Sequence, residues 1–303
     1  MGGSGSAGAL DVNPGDERRG LDSGASRETA SGETSSGGNG LPQDGSADAR
    51  TGAPDVAGGM SHPCKRGIAA NVAPGAAFSA GVGWWYNWGV RANAPAAAIV
   101  FVPMAWDEMS VNAAFPSGAP FILGFNEPNF KAQANLTPQD AAAQWRTLES
   151  NARAAGVPLV SPAVNFCGPA ANCNGTDPYA YLKSFFAACS DCRVDYVAVH
   201  WYNCDVASLR DYLEPGGSLE GFEQFGRPIW LTEFACSIGG DTSVAGQEAY
   251  MRAALPYLES NAHVFRYSWF SAAPIPNARL INDDGSPTAL GQVYVGLEGD
   301  CHR

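Results

Sequence analysis

From about residue 66 to the end of the chain, short apolar runs alternate with longer amphipathic stretches. The runs at 81–85, 98–103, 121–125, 159–164, 194–200, 228–233 and 264–269 are near-continuous in apolar character. A strand with one wet face alternates apolar and polar residues, whereas a strand covered on both faces need not. These runs therefore predict a parallel sheet buried beneath helices. Start signals mark the helices between them. Thr137-Pro138-Gln139-Asp140 supplies an N-cap, a proline at the first helical position and an acid in the first turn. Ala141, Trp145, Leu148, Ala152 and Ala155 follow at helical spacing, and Gly156 ends the stretch. Asp177-Pro178 opens a second helix that runs through Phe185 and Phe186. A third spans about 243–258, with Pro256 expected to bend or end it.

Seven strands are one short of a closed (β/α)8 TIM barrel, and this α/β architecture is the expected fold. The eighth strand is expected as a short one in the irregular stretch 106–120. An open doubly wound sheet is the alternative, but no Gly-rich phosphate loop follows the first run.

Composition narrows the domain. Residues 1–60 are rich in Gly, Ser, Ala, Asp and Pro, and no Phe, Tyr or Trp occurs before Phe78. A segment unable to bury apolar area cannot offset its ordering entropy, so 1–60 reads as a disordered linker. Residues 61–303 read as one catalytic domain of barrel size. The net charge of −12 repels phosphate backbones, which argues against a nucleic-acid partner. No apolar run reaches membrane-spanning length. The opening Met1-Gly2-Gly3-Ser4 carries no visible signal peptide; a chain whose leader had been removed would open this way. All 8 cysteines lie from Cys64 onward, an even number confined to the folded region, which implies disulfides and a secreted or cell-surface setting. Cys204 is expected to pair with Cys236, and Cys64 with Cys301. The CxxC spacing of Cys189 and Cys192 leaves zinc as a competing reading, without a second CxxC or an HxxxH to complete it.

In barrels of this kind chemistry sits at the carboxyl ends of the strands. Two runs end on an acid there: Phe125-Asn126-Glu127-Pro128-Asn129 and Trp230-Leu231-Thr232-Glu233-Phe234. Paired carboxyl groups can cleave a glycosidic bond, one protonating the leaving oxygen and the other attacking the anomeric carbon. Glu127 precedes a proline, which predicts an extended backbone. Asn126 is placed to donate to a sugar 2-hydroxyl. Tyr202 is placed to donate to Glu233 and hold it ionised. His200 is a candidate for a sugar hydroxyl or a carboxylate, with a satisfied core histidine as the plain alternative. Trp84, Trp85, Trp88, Trp106, Trp201 and Trp269 are candidate sugar platforms, and Asn129 a further substrate contact. Trp84 and Trp85 point opposite ways in a regular strand, so only one of them can face a cleft. Trp145 and Trp230 read as core. No G-x-S-x-G elbow is present. Asn135-Leu136-Thr137 and Asn174-Gly175-Thr176 are glycosylation sequons, relevant only in a eukaryotic secretory host.

The chain resembles glycoside hydrolase family 128, the Asl1-like glycosyl hydrolase catalytic core. The resemblance rests on GWWYNWG (83–89), FVPMAW (101–106), LGFNEPNF (123–130), LTPQDAAAQW (136–145), LVSPAV (159–164), VDYVAVHWYNC (194–204), PIWLTEFAC (228–236), RYSWF (266–270) and LINDDGSPTALGQVY (280–294). It covers about residues 64–301. It implies a (β/α)8 barrel that hydrolyses β-1,3-glucan with retention, with Glu127 as acid/base and Glu233 as nucleophile. In that clan the acid/base follows the fourth strand, which makes the missing strand the third. Asp107-Glu108 after Trp106 departs from the family pattern. The expected protein is a monomeric endo-β-1,3-glucanase acting on a polysaccharide or oligosaccharide, with no metal or organic cofactor. Another β-glycan hydrolase of the clan and a non-catalytic glucan-binding wall protein are the alternatives.

Overall fold

The computed structural model describes residues 64–95, 99–168 and 171–302; the expected linker over 1–60 lies outside them. Eight parallel strands form one sheet. They are β1 (Arg66–Ala69), β2 (Trp84–Tyr86), β3 (Val100–Phe101), β4 (Ile122–Leu123), β5 (Leu159–Val164), β6 (Tyr196–Asn203), β7 (Ile229–Ile238) and β8 (Val264–Phe270). Their order is β3-β2-β1-β8-β7-β6-β5-β4. The two ends of that order meet: the Leu123 amide donates to the Pro103 carbonyl (2.9 Å) and the Ala105 amide to Leu123 (2.8 Å). The sheet thus closes into a barrel of the expected (β/α)8 type and is not the open doubly wound alternative.

The strand missing from the sequence pattern is the first, not the third. The stretch 106–120 contains a 3-10 turn at Glu108–Ser110, capped by the Asp107 carboxylate, and no strand. β1 reads Arg-Gly-Ile-Ala, with a charge and a glycine where an apolar run is sought. Both residues have packing reasons. Arg66 is fully buried, and its guanidinium donates to the carbonyls of Tyr294, Leu297 and Glu298 and to Glu259 Oε1. It therefore ties β1 to the chain's end, beside the Cys64–Cys301 disulfide. Gly67 lies under the Trp84 indole, where a Cβ would come within 2.2 Å of the ring.

The helices are α1 (Pro138–Ala155), α2 (Pro178–Ala188), α3 (Val206–Leu213), α4 (Val244–Ser260) and α5 (Ala289–Gly296). Thr137 caps α1 by accepting from the Asp140 amide, and Gly156 ends it in the left-handed region. Asp177 caps α2 and Ser243 caps α4. Pro256 does not stop α4, which continues to Ser260. Between β1 and β4 the described connections carry only 3-10 turns, Ala76–Ala80 and Glu108–Ser110. The core has two layers. Inside the barrel lie Trp84, Tyr86, Met104, Leu123, Val160 and Trp230; between sheet and helices lie residues such as Trp85, Trp145, Leu159 and Leu231.

All 8 cysteines are paired: Cys64–Cys301 and Cys204–Cys236 as expected, with Cys167–Cys173 and Cys189–Cys192 besides. The CxxC pair is a disulfide, which removes the zinc reading. No helix among the described residues is long and apolar enough to cross a membrane.

Gly67→Ala is expected to cost about 1–3 kcal/mol, because the buried Trp84 ring has nowhere to move. Denaturant unfolding with disulfides intact checks this; an unchanged midpoint would show that β1 does not depend on that close approach.

Candidate active site

Strand alternation decides which side chains reach the barrel mouth. In β6, Ala198 faces inward and Val199 outward, so His200 and Tyr202 face inward and Trp201 outward. In β7, Trp230 faces inward and Leu231 outward. Strict alternation would then turn Thr232 inward and Glu233 outward, toward the helices. The ladder prevents this: Val199 pairs with Leu231, but His200 pairs with Glu233, so one extra residue is absorbed at Thr232. This bulge re-aims Glu233 into the barrel beside His200. A second irregularity falls at Ser161-Pro162 in β5. There the Ser161 hydroxyl accepts from the Ala198 amide at 2.9 Å, supplying a ladder acceptor.

Glu127 follows β4 on a strained backbone. Its φ is +39°, in the left-handed region and not the extended form expected before proline. Its amide donates to Ala163 (2.8 Å) and its carbonyl accepts from Phe130 (2.9 Å), which hold it there. Trp88 is likewise left-handed, with φ +61°. Such conformations cost about 1–3 kcal/mol each and persist where surrounding structure fixes them.

The two carboxyl groups meet. His200 Nδ1 lies 2.9 Å from Glu127 Oε1 and 3.3 Å from Glu233 Oε2. One carboxylate oxygen of each acid and one imidazole nitrogen all lie within 4.8 Å of one another, and all three residues are buried. Glu233 receives three donors: Trp88 Nε1 (2.6 Å) and the Tyr86 hydroxyl (3.1 Å) on Oε1, and the Tyr202 hydroxyl on Oε2. Glu127 Oε1 also accepts from Asn165 Nδ2 at 3.3 Å.

Burial raises the Glu233 pKa above the ordinary carboxyl range. A charge on His200 is the largest opposing influence, the Glu127 charge adds to the rise, and the Tyr202 and Trp88 hydrogen bonds oppose it. Desolvation is the largest single effect on His200 and pulls its pKa down. The Glu233 charge and the hydrogen bond and charge of Glu127 together outweigh it, so the imidazole binds its proton more tightly than free histidine. Burial, with the Glu233 charge next, pushes the Tyr86 and Tyr202 phenols well above their usual range, so they remain donors. Glu127, His200 and Glu233 are also the described residues whose geometry could hold a metal ion. The three donors on Glu233 already engage both its oxygens, which is the arrangement of a hydrogen-bonded carboxylate and not of a free metal ligand.

A cleft partly open to solvent adjoins Glu233. Asn126, Trp88, Trp106, Phe270 and Gln133 line it, with Asn71 and the turn Ala272-Ala273-Pro274. Asn126 Nδ2 donates to Gln133 Oε1 at 3.2 Å.

Several candidates lie elsewhere. Trp84 faces the barrel interior below the mouth and donates to the Lys65 carbonyl. Trp85 packs outward on Phe101. Trp201 packs on Tyr212 with ring centres 4.7 Å apart. Trp269 is outward too, against Phe234, its indole on the Ala278 carbonyl. These four are core, as alternation along each strand demands. Asn129 is fully buried and braces loops by donating to the carbonyls of Asn165 and Gly175. Tyr86 and Asn165, strand-end residues of the rim, contact the acids directly, and Gln133 and Phe270 line the cleft without any signal in the sequence pattern. Tyr86 was findable: it shares a strand face with Trp84 and lies nearer the carboxyl end.

A family model described as "Glycosyl hydrolase catalytic core" matches residues 67–294. The chain is 34% identical over 229 residues to "Alkali-sensitive linkage protein 1" of Schizosaccharomyces pombe, covering 71% of this chain and 40% of that protein. It thus spans about two fifths of the length of that curated relative. Among solved structures, it is similar to a subgroup II family 128 endo-β-1,3-glucanase from Sorangium cellulosum. That match has 38% identity and a TM-score of 0.66, and covers 78% of this chain and 99% of the other. A subgroup I endo-β-1,3-glucanase from Amycolatopsis mediterranei, solved with laminaritriose, matches at 29% identity and a TM-score of 0.61, covering 77% and 99%.

Two measurements test the electrostatics. Tyr202→Phe removes a hydrogen bond that favours the ionised Glu233, so the Glu233 carboxyl should titrate at higher pH, read from carboxyl carbon shifts. In the second, raised folded pKa values favour the fold while the groups are protonated. The Glu233 contribution is complete below its ordinary value of 4.5 and lost as pH rises through the folded value. Glu233→Gln has no such proton to lose and should flatten that part of the stability–pH curve; an identical slope would contradict the raised pKa.

Proposed function

The chain belongs to the glycosyl hydrolase catalytic core, within glycoside hydrolase family 128, and from that membership we propose that it cleaves β-1,3-glucan internally, with retention of configuration. The catalytic unit is assigned to residues 61–303. Glu127 is assigned as acid/base and Glu233 as nucleophile. The observation that carries this reading is the meeting of two buried carboxyl groups with oxygens within 4.8 Å. Retaining glycosidases hold the pair about 5–5.5 Å apart, whereas inverting ones leave about 6.5–9.5 Å for a water.

In the first step ionised Glu233 attacks the anomeric carbon while Glu127 gives its proton to the departing oxygen. The bond to the leaving sugar breaks and a glycosyl ester forms on Glu233. In the second step Glu127 takes a proton from water, the oxygen of that water attacks the anomeric carbon, and the Glu233 carboxylate leaves. Trp88, Tyr86 and Tyr202 hold the Glu233 carboxylate in one orientation and lower the cost of its ionisation in a buried place. His200 links the two acids, so charge lost from one is felt by the other. Asn126, on the cleft wall, is assigned to the 2-hydroxyl of the sugar held there, where hydrogen bonds strengthen toward the transition state. Trp88, Trp106 and Phe270 supply apolar faces for that sugar. No metal or organic cofactor enters these steps. Four disulfides support an extracellular or cell-wall setting.

Proton NMR of the first products from a linear β-1,3-glucan should show the β anomer, with internal cleavage giving a spread of chain lengths. Glu233→Gln should abolish release of reducing ends. Glu127→Ala should slow it by about 10²–10⁴-fold. First products of the α anomer would overturn retention; glucan binding without reducing ends from the unmodified protein would leave a wall-binding protein.

A further inference from the structure

We propose that Phe166 is the stacking platform for the sugar on the leaving-group side of the cleaved bond. This rests on the reading of Glu127 and Glu233 as a glucan-cleaving pair.

Position around the barrel is the first observation. The cleft beside Glu233 is built from the ends of neighbouring strands: Asn71 beyond β1, Trp88 beyond β2, Trp106 beyond β3, Asn126 and Gln133 beyond β4, and Phe270 with Ala272-Ala273-Pro274 at and after β8. Phe166 lies two residues beyond β5, across the ring from β1 in the strand order. The acid pair stands between the two sides. The nucleophile borders the cleft, so the sugar whose anomeric carbon is attacked occupies the cleft. The acid protonates the oxygen of the departing sugar, which must then extend past Glu127, away from the cleft.

The second observation is what lies there. Asn165 joins Glu127 to Phe166 directly: its Nδ2 donates to Glu127 Oε1 (3.3 Å), and its Oδ1 accepts from the Phe166 amide (2.9 Å). The large apolar side chains exposed among the described residues are Met109, Phe166, Ile238 and Val244, and Phe166 is the one aromatic ring among them, 40% exposed. A single exposed apolar side chain is ordinary; an exposed ring tied through one amide to the acid is not accounted for by chance exposure. The ring packs edge-on and tilted against Tyr179 and Tyr212, with ring centres 6.0 and 5.6 Å away. Both of those tyrosines are buried, so the ring is backed by core.

The third observation is rigidity. Cys167–Cys173 closes a short loop immediately after the ring. Phe130 bridges to Cys173, and Asn129 donates to the Asn165 carbonyl. A platform fixed before the sugar arrives loses little entropy on binding. Pyranose rings present C–H bonds to such faces, and an apolar ring without polar atoms suits a sugar that must leave after one step.

The test compares two substrates with Phe166→Ala and Phe166→Trp. One is laminarihexaose, whose cleavage needs a departing sugar. The other is a β-laminaritriosyl fluoride, whose one-atom leaving group reaches no platform. Phe166→Ala should lower kcat/KM on the hexaose about tenfold, and leave the fluoride rate unchanged. Phe166→Trp should retain the hexaose rate. Equal loss on both substrates, or no loss on the hexaose, would overturn the assignment. No cleavage of either substrate by the unmodified protein would overturn the glucan-cleaving reading itself, and the platform with it.

Discussion

Two carboxyl groups and one imidazole have been drawn out of water together at the mouth of the barrel. Isolated burial of an ionised carboxylate is prohibitive, and two that face each other are worse. The arrangement is held by a hydrogen-bond network, although Glu127 Oε2 and His200 Nε2 have no hydrogen-bond partner in it. His200 reaches both acids, and Glu233 takes donors from Trp88, Tyr86 and Tyr202. Those donors come from β2 and β6 and the acids from β4 and β7, so the pair is stable only if the barrel is closed and in register. Much of the rest of the molecule serves that condition.

Closure is completed at its least regular point. β1 to β4 are short and are linked in the described residues by 3-10 turns and irregular segments. Strength there comes from particular devices more than from helix packing. Arg66 gathers three carbonyls and Glu259 at the chain's end, Gly67 admits the Trp84 ring, and Met104 meets Leu123 across the seam. The helix-rich half, β5 to β8, is the more regular, yet its ladders break near the two buried acids. The irregularities at Ser161-Pro162 and Thr232 and the left-handed backbone at Glu127 and Trp88 are local departures from ideal geometry. The Thr232 bulge turns Glu233 toward His200, Glu127 and Trp88 carry the left-handed backbone themselves, and strain of this kind is held in place by neighbours.

The mouth is also asymmetric. Aromatic and amide side chains at the ends of β8, β1, β2, β3 and β4 wall a cleft next to Glu233, while on the opposite rim the partly exposed Phe166 and the Cys167–Cys173 disulfide follow β5.

Much of this was legible along the chain. Continuous apolar runs ending in polar residues announce a sheet buried on both faces. The two acid-terminated runs mark Glu127 and Glu233 as acids following buried strands, because local sequence controls strand propensity and burial. Thr137 and Asp177, each followed by proline, announce their helices through local start signals. Other features had no local signal. β1 is held by Arg66 and Gly67, whose reasons lie at the far end of the chain and in a neighbouring strand. Trp84, Trp85, Trp201 and Trp269 share a composition with Trp88 and Trp106, and only register and alternation divide core from cleft. The inward turn of Glu233 depends on one extra residue against β6. Sequence by itself determined which elements form and that two acids end two strands. Tertiary structure decided which faces those strands present, because facing is a property of pairing between segments and not of either segment alone.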